Sequence, residues 1–245
     1  YAASEMFADA LLELFHAGIL KREVDGGVLD AAFFLGPRDF YRALREMPER
    51  QRQKLRMRSV AFINELYGED EAARRAQRVN ARFVNNAMIV TALGAIVSDG
   101  LEDGRVVSGV GGQYNFVAQA FALQGARSVV ALPATRTSKG KTSSNIKWSY
   151  GHVTIPRHLR DIVVTEYGVA DLRGRSDAET IVQMLAITDS RFQEQLLDAA
   201  KRARKLPKRA TIPAGGQNND WRRVRGVLAD ARRAGRISDF PFGQE

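Results

Sequence analysis

The chain has 245 residues, 44% of them hydrophobic and 27% charged, with a formal net charge of +9. It contains no cysteine, which excludes disulfides, thiolate metal sites and a cysteine nucleophile. No apolar run approaches the roughly 18–20 residues of a membrane span, and the size permits one large domain or one domain with an appendage.

Residues 5–19, "EMFADALLELFHAGI", place apolar side chains at helical spacing and predict an amphipathic helix stopped near Gly18. Ser4 reads as its cap, which puts Glu5 in the first turn, where the helix dipole favours a carboxylate. "GGVLDAAFFLG" (26–36) predicts a turn and a buried strand. "PRDFYRALREM" (37–47) predicts a helix with proline at its start. Residues 48–58 are polar and basic and predict a loop, and "EDEAARRAQR" (69–78) a short charged helix.

The pattern then changes. Short β-branched runs at 86–100, 105–112, 128–135, 152–156 and 161–168 end in Gly, Pro or polar residues, with helical patterns at 113–124 and 177–187. This alternation predicts an α/β domain with a mainly parallel sheet. Ser176 and Glu179 form a capping-box pair at the start of the last of these helices. From about residue 206 the chain is rich in Pro, Gly and Arg and reads as an appendage with one helix over 219–234.

Four stretches have the residue types that chemistry needs. In "SGVGGQYNF" (108–116) glycines free the backbone in front of a helix N-terminus, whose N–H groups favour negative charge. Such a loop suits a phosphate or the oxyanion of an acyl transfer, and alone it serves equally well as a tight turn. "ATRTSKGKTSSNIKW" (134–148) sets cations among hydroxyls on a flexible backbone, which suits a phosphate-bearing ligand or a solvated loop. Glu166 in "VVTEYG" ends an apolar strand, where open α/β sheets place their ligand crevice, and is either functional or a loop acid. The histidines His16, His152 and His158 show no metal-ligand spacing, and no metal site is expected. The arginine-rich stretches alternate with apolar residues at helical spacing, as solvated helix faces do. A basic nucleic-acid- or protein-binding domain without turnover is the rival reading.

In this order, "SEMFAD", "VNNA", "SGVGGQYNF", "LPATRTSKGKTSSN" and "VTEYGVADLRGRS" resemble the C-terminal domain of the acetyl-CoA hydrolase/transferase family, the class I CoA-transferases, over about residues 2–205. The terminal "DFPFG" (239–243) also resembles tails of this group. The segment 56–83 is longer and more basic than its family counterpart, and "MIVTALGA" replaces the acidic residues that follow "VNNA" in relatives.

The resemblance implies an α/β fold of the NagB/RpiA/CoA-transferase type, with a mainly parallel sheet and flanking helices. It implies a catalytic domain over 1–205, a basic extension over 206–245, and a preceding domain absent from this chain. The chain alone is therefore expected to fold but to be catalytically incomplete. The resemblance makes Glu5 the nucleophile, passing through an anhydride to a glutamyl-CoA thioester. It gives Gly111 and Gly112 to the thioester oxygen, Glu166 to the catalytic centre, and Asn85, Gly109, Gln113 and Lys139 to CoA. Coenzyme A is then a substrate, with no permanently bound cofactor. The partners implied are an acyl-CoA and a small carboxylate rather than nucleic acid or membrane, in a cytoplasmic homo-oligomer.

Overall fold

The computed structural model describes residues 1–68 and 70–237, so the tail motif at 239–243 lies outside the described residues. The chain divides into two compact units.

The first unit is Tyr1–Gln77, with residues 234–237 also assigned to it. It runs β1 (Ala2–Phe7), α1 (Asp9–His16), β2 (Leu29–Phe34), α2 (Arg38–Glu46), α3 (Glu49–Arg52), β3 (Leu55–Met57), α4 (Val60–Asn64) and α5 (Glu71–Gln77). The three strands form a parallel sheet in the order β1-β2-β3. Phe7, Leu12, Leu29, Ala31, Phe40 and Met47 are its buried core, with the Phe7 and Phe40 rings edge-on at 5.3 Å.

The helix expected over 5–19 is thus corrected. Its first turn is β1, paired in register with β2 from Ala2↔Leu29 to Phe7↔Phe34. Ser4 is no cap: its hydroxyl donates to the Met6 carbonyl at 2.7 Å. Only 9–16 is helical, and Gly18 does stop it in a left-handed conformation (φ +68°). The apolar residues of the pattern are shared between two elements: Phe7 reaches the core from the strand and Leu12 from the helix.

The loop expected over 48–58 is α3 followed by β3, and its arginines are not simply solvated. Asp30 is fully buried on β2, and Arg56 grips it with Nε and Nη2, each at 2.7 Å, while Arg58 adds Nε at 3.3 Å. Burial would raise the Asp30 carboxyl, but hydrogen bonds from Arg56, Tyr1 and Arg58 outweigh it and hold it below its ordinary value.

The second unit, Arg78–Arg233, contains β4 (Arg82–Asn86), β5 (Ile89–Thr91), β6 (Ile96–Val97), α6 (Gln113–Ala122), β7 (Arg127–Ala131), β8 (Thr135–Ser138), β9 (Lys141–Ser144), β10 (Ile146–Lys147), β11 (Ile162–Thr165), β12 (Gly168–Asp171), α7 (Asp177–Ala186), α8 (Ser190–Arg202) and α9 (Trp221–Arg233). Its main sheet has the order β12-β11-β7-β4, with β4, β7 and β11 parallel and β12 an antiparallel edge. A smaller sheet, β10-β5-β6, accounts for part of the run at 86–100.

The expected α/β class and largely parallel sheet are therefore present. The capping box forms as read: the Ser176 hydroxyl accepts from Glu179 N, and Glu179 Oε2 accepts from Ser176 N at 2.9 Å. Three local readings change. No strand forms over 105–112, and 152–156 contributes only an isolated bridge from Ile155 to Ile96. The loop at 134–148 is the hairpin β8-β9, followed by β10. Helix α8 is not among the elements expected, although Leu196, Leu197 and Ala200 bury one of its faces. Residues 206–219 pack on this unit: Leu206 is in the core, and Asn219 Nδ2 donates to Ala186 O and Thr188 O at 2.7 and 2.8 Å. No helix among the described residues is long and apolar enough to cross a membrane.

Candidate active site

The parallel strands of the second unit end together. Asn86, Ala131 and Val164 lie in one row across β4, β7 and β11, so the segments that follow them leave from the same edge. This is the carboxyl edge, where open α/β sheets bind ligands. Glu166 sits just past β11, and its Oε2 accepts from Ala134 N, just past β7, at 2.7 Å. Gln113, the first residue of α6, donates from Nε2 to Asn86 O at 2.9 Å, which brings the glycine loop to the same edge.

The polar groups there are incompletely used. Asn85 Nδ2 and Gln113 Oε1 are buried without a partner. Among the described residues, none of the N–H groups of Gly109, Val110, Gly111 and Gly112 hydrogen-bonds within the chain. A buried polar group without a partner costs about 1–3 kcal/mol, which applies to Asn85 Nδ2 and Gln113 Oε1 and favours a ligand there, while Gly109, Val110 and Gly111 are exposed and offer their N–H groups to solvent or to a ligand. Gly112 is the buried N-cap of α6, with φ −84° and ψ 8°, and Gly111 has φ +51°. The left-handed residue is Gly111. Gly109 is exposed, with no atom within 4 Å of where a Cβ would stand.

Glu5 belongs to the first unit. It lies on β1, partly buried, and Asn64 Nδ2 donates to its Oε2 at 2.5 Å. Asn64 is itself 7% exposed, at the end of α4, which the cap Ser59 starts through Phe62 N.

A match to the family described as "Acetyl-CoA hydrolase/transferase C-terminal domain" covers residues 36–200. The chain belongs to this family. It is 28% identical over 204 residues to the 4-hydroxybutyrate coenzyme A transferase of Clostridium kluyveri, a match covering 81% of this chain and 44% of that protein. Its fold superposes on the crystal structure of RipA from Yersinia pestis with a TM-score of 0.67 at 28% identity, over 82% of this chain and 44% of that one. The 4-hydroxybutyrate CoA-transferase of Porphyromonas gingivalis shares the fold, with a TM-score of 0.59 at 23% identity over 81% and 44% of the two chains. The chain thus spans less than half the length of these proteins. Every candidate site residue except Glu5 lies within the family match.

Lys139 stands at the tip of the β8-β9 hairpin. Ser138 pairs with Lys141, and the two residues between have φ 49° (Lys139) and φ 74° (Gly140). Two consecutive positive φ values match the twist of a two-residue hairpin turn, so "KG" has turn chemistry of its own. The hairpin is rooted at the sheet edge through Ala134, which bonds Glu166 and also accepts from Asn145 N at 2.8 Å. The loop that carries Glu166 is fixed in turn by Tyr167, whose hydroxyl donates to Asp189 at 2.7 Å. Burial and this bond push the Tyr167 phenol well above its ordinary value.

Sequence reasoning missed two supports. Asn64, which holds Glu5, lies 59 residues away from it in the chain. Asp99 organises the approach to the glycine loop: its carbonyl accepts from Val107 N at 2.8 Å and Ser108 N at 3.3 Å. Its carboxylate accepts from the Thr154 hydroxyl and lies 2.9 Å from His152 Nε2. Gly100 permits this, because a Cβ there would come within 2.6 Å of that same nitrogen.

The Thr154 and His152 hydrogen bonds hold the Asp99 carboxyl below its ordinary value. A depressed carboxyl stabilises the fold above its unfolded pKa of about 3.9, and that contribution is lost as pH falls through the folded value. Asp99→Asn should therefore melt below the parent chain at pH 7. The gap should shrink as pH falls below about 4. Melting curves followed by circular dichroism across pH check this, and a gap independent of pH would refute it.

Proposed function

We propose that this chain carries out the glutamate-based step of acyl exchange between coenzyme A and carboxylates, as the catalytic domain over 1–205 with 206–245 as its extension. The observation that carries the reading is the run of unengaged N–H groups from Gly109 to Gly112 at the head of α6, with the unpartnered Asn85 Nδ2 and Gln113 Oε1 on the same sheet edge. Such donors, fixed before the reaction, stabilise an oxygen that gains negative charge.

In this reading the Glu5 carboxylate attacks the thioester carbonyl carbon, and the electron pair moves to oxygen, to which Gly111 N–H and Gly112 N–H donate hydrogen bonds. Collapse expels the CoA thiolate and leaves an acyl-glutamyl anhydride. The thiolate then attacks the glutamyl carbonyl, giving a Glu5–CoA thioester and releasing the acyl group as a carboxylate. A second carboxylate reverses the sequence and leaves as the new thioester, whereas water in its place gives hydrolysis. Splitting one hard displacement into these steps is the benefit of covalent catalysis. Asn85, Gly109, Gln113 and Lys139 hold the CoA moiety, and Glu166 fixes the sheet edge at Ala134. Coenzyme A enters and leaves as substrate, and the acyl group and acceptor are small carboxylates.

The test is direct. The intact protein that contains this chain is incubated with acetyl-CoA, treated with borohydride, digested and analysed by mass spectrometry. The peptide containing Glu5 should carry CoA before reduction and the reduced alcohol after it. Modification absent from that peptide would sink the assignment of Glu5.

A further inference from the structure

Glu5 and Arg58 lie in one row across the sheet of the first unit, and the proposed chemistry uses only Glu5. Ser4 pairs with Ala31 and Met6 with Phe33, so Glu5 lies beside Ala32. Met57 pairs with Ala31, and Arg58 N donates to Ala31 O at 2.8 Å, so the ladder continues one residue past β3 and sets Arg58 on the other side of Ala32. Residues in one row point to the same face, and with strands about 4.8 Å apart the Glu5 and Arg58 backbones are separated by about 10 Å. Helix α4 meets both: Asn64 donates to Glu5, and the Phe62 ring centre lies 4.9 Å from the Arg58 guanidinium.

Arg58 has charge to spare. Asp30, two residues before Ala32, already takes two hydrogen bonds of 2.7 Å from Arg56. Arg58 reaches it only through Nε at 3.3 Å, and its Nη1 and Nη2 make no hydrogen bond among the described residues. The Phe62 ring orients the guanidinium without neutralising it. No ion pair among the described residues joins Arg58 to Glu5, which the neutral Asn64 amide holds instead, so the cation does not quench the nucleophile. The side chain between them is the methyl of Ala32, and it is partly exposed, as are Glu5 and Arg58.

This row discriminates between acyl groups. A chain ending in a methyl would strip water from the guanidinium and give nothing back. A carboxylate at the far end would answer the charge with a two-pronged bond. We propose that Arg58 selects acyl groups that carry a second carboxylate, with Glu5 taking one end of a short dicarboxylic acid and the Arg58 guanidinium the other. The inference rests on the Glu5 chemistry proposed above and names its substrate class.

The test uses the intact protein that contains this chain, with acetyl-CoA as donor and either succinate or butyrate as acceptor. The two acids have equal carbon number and differ only in the far group. The parent should use succinate with a kcat/KM roughly tenfold or more above that for butyrate, as a site built to bond a polar group rejects the analogue lacking it. Arg58→Gln should lower kcat/KM for succinate by roughly tenfold or more and leave butyrate within about threefold. Arg58→Lys keeps the charge and loses the fork, so its preference should fall between the two. If Arg58→Gln fails to fold, Arg58→Lys decides, by a preference for succinate smaller than the parent's.

Equal use of the two acids by the parent, or an equal change on both in the Arg58 variants, overturns the proposal. The second result would make Arg58 a structural partner of Asp30, and the melting temperature would fall with it. Failure here is separable from failure of the Glu5 chemistry. An adduct at Glu5 without a preference for succinate removes only this inference. A preference that depends on Arg58 without an adduct at Glu5 removes only the chemistry, and no exchange with either acid removes both.

Discussion

Glu5→Ala should lower thioester exchange by ~10⁴-fold or more, the scale on which loss of a covalent nucleophile acts in other enzymes, while CoA binding changes little. The carboxylate is the bond-forming group in every proposed step, so no neighbouring side chain can replace it in part. Its setting sharpens the test. Glu5 sits on a strand and not in a first helical turn, so its loss removes no favourable contact with a helix dipole. What it does remove is the acceptor for Asn64 Nδ2. Glu5→Gln, close to isosteric, separates that contact from nucleophilicity: it should be as inactive as Glu5→Ala while melting nearer to the parent. Asn64→Ala should depress the catalytic constant less than either, because it leaves the carboxylate in place and frees its orientation. If Glu5 were only structural, both changes at Glu5 would cost about 1–3 kcal/mol of stability and exchange would persist. Single-turnover exchange, measured in the intact protein with labelled acetate and acetyl-CoA, decides between these outcomes, and a catalytic constant within tenfold of the parent in Glu5→Ala would remove it from the role.

Gly112→Val should cut the catalytic constant by about 100-fold or more, as losing one oxyanion donor does elsewhere. The residue is buried at the head of α6, and its own N–H belongs to the unengaged run. In the proposed reading, a branched side chain there would crowd the thioester oxygen. Gly111→Ala should behave differently, because Gly111 has φ +51°. A Cβ in that region costs roughly 1–2 kcal/mol, so this change should lower the melting temperature and distort the donor run together. Gly109 has open space around it and no positive φ, so Gly109→Ala should leave stability unchanged. Melting temperature and steady-state kinetics on all three resolve fold effects from chemical ones. A Gly112→Val chain with the parent's catalytic constant would make the loop a plain turn.

What the sequence by itself determined is what short-range rules govern. The capping box at Ser176, the helix after Pro37, the helix after the glycine loop and the apolar runs that became β7 and β11 each depend on residues within a few positions. The alternation of such runs was enough for the α/β class, and the order of five motifs was enough for the family. The tertiary structure alone decided the rest. Residues 2–7 carry a helical pattern locally, yet parallel pairing with β2, more than twenty residues on, makes them a strand. β3 follows the same logic: a short polar stretch becomes an edge strand because β2 offers unpaired backbone groups and buries Asp30, whose charge Arg56 answers. The supports of the candidate site, Asn64 on Glu5, His152 and Thr154 on Asp99, and Ala134 on Glu166, each span 32 to 59 residues. A helix cap is satisfied within one turn and leaves its signature in adjacent letters. A hydrogen bond across a parallel sheet edge forms only after the intervening chain has folded back, so no local pattern records it.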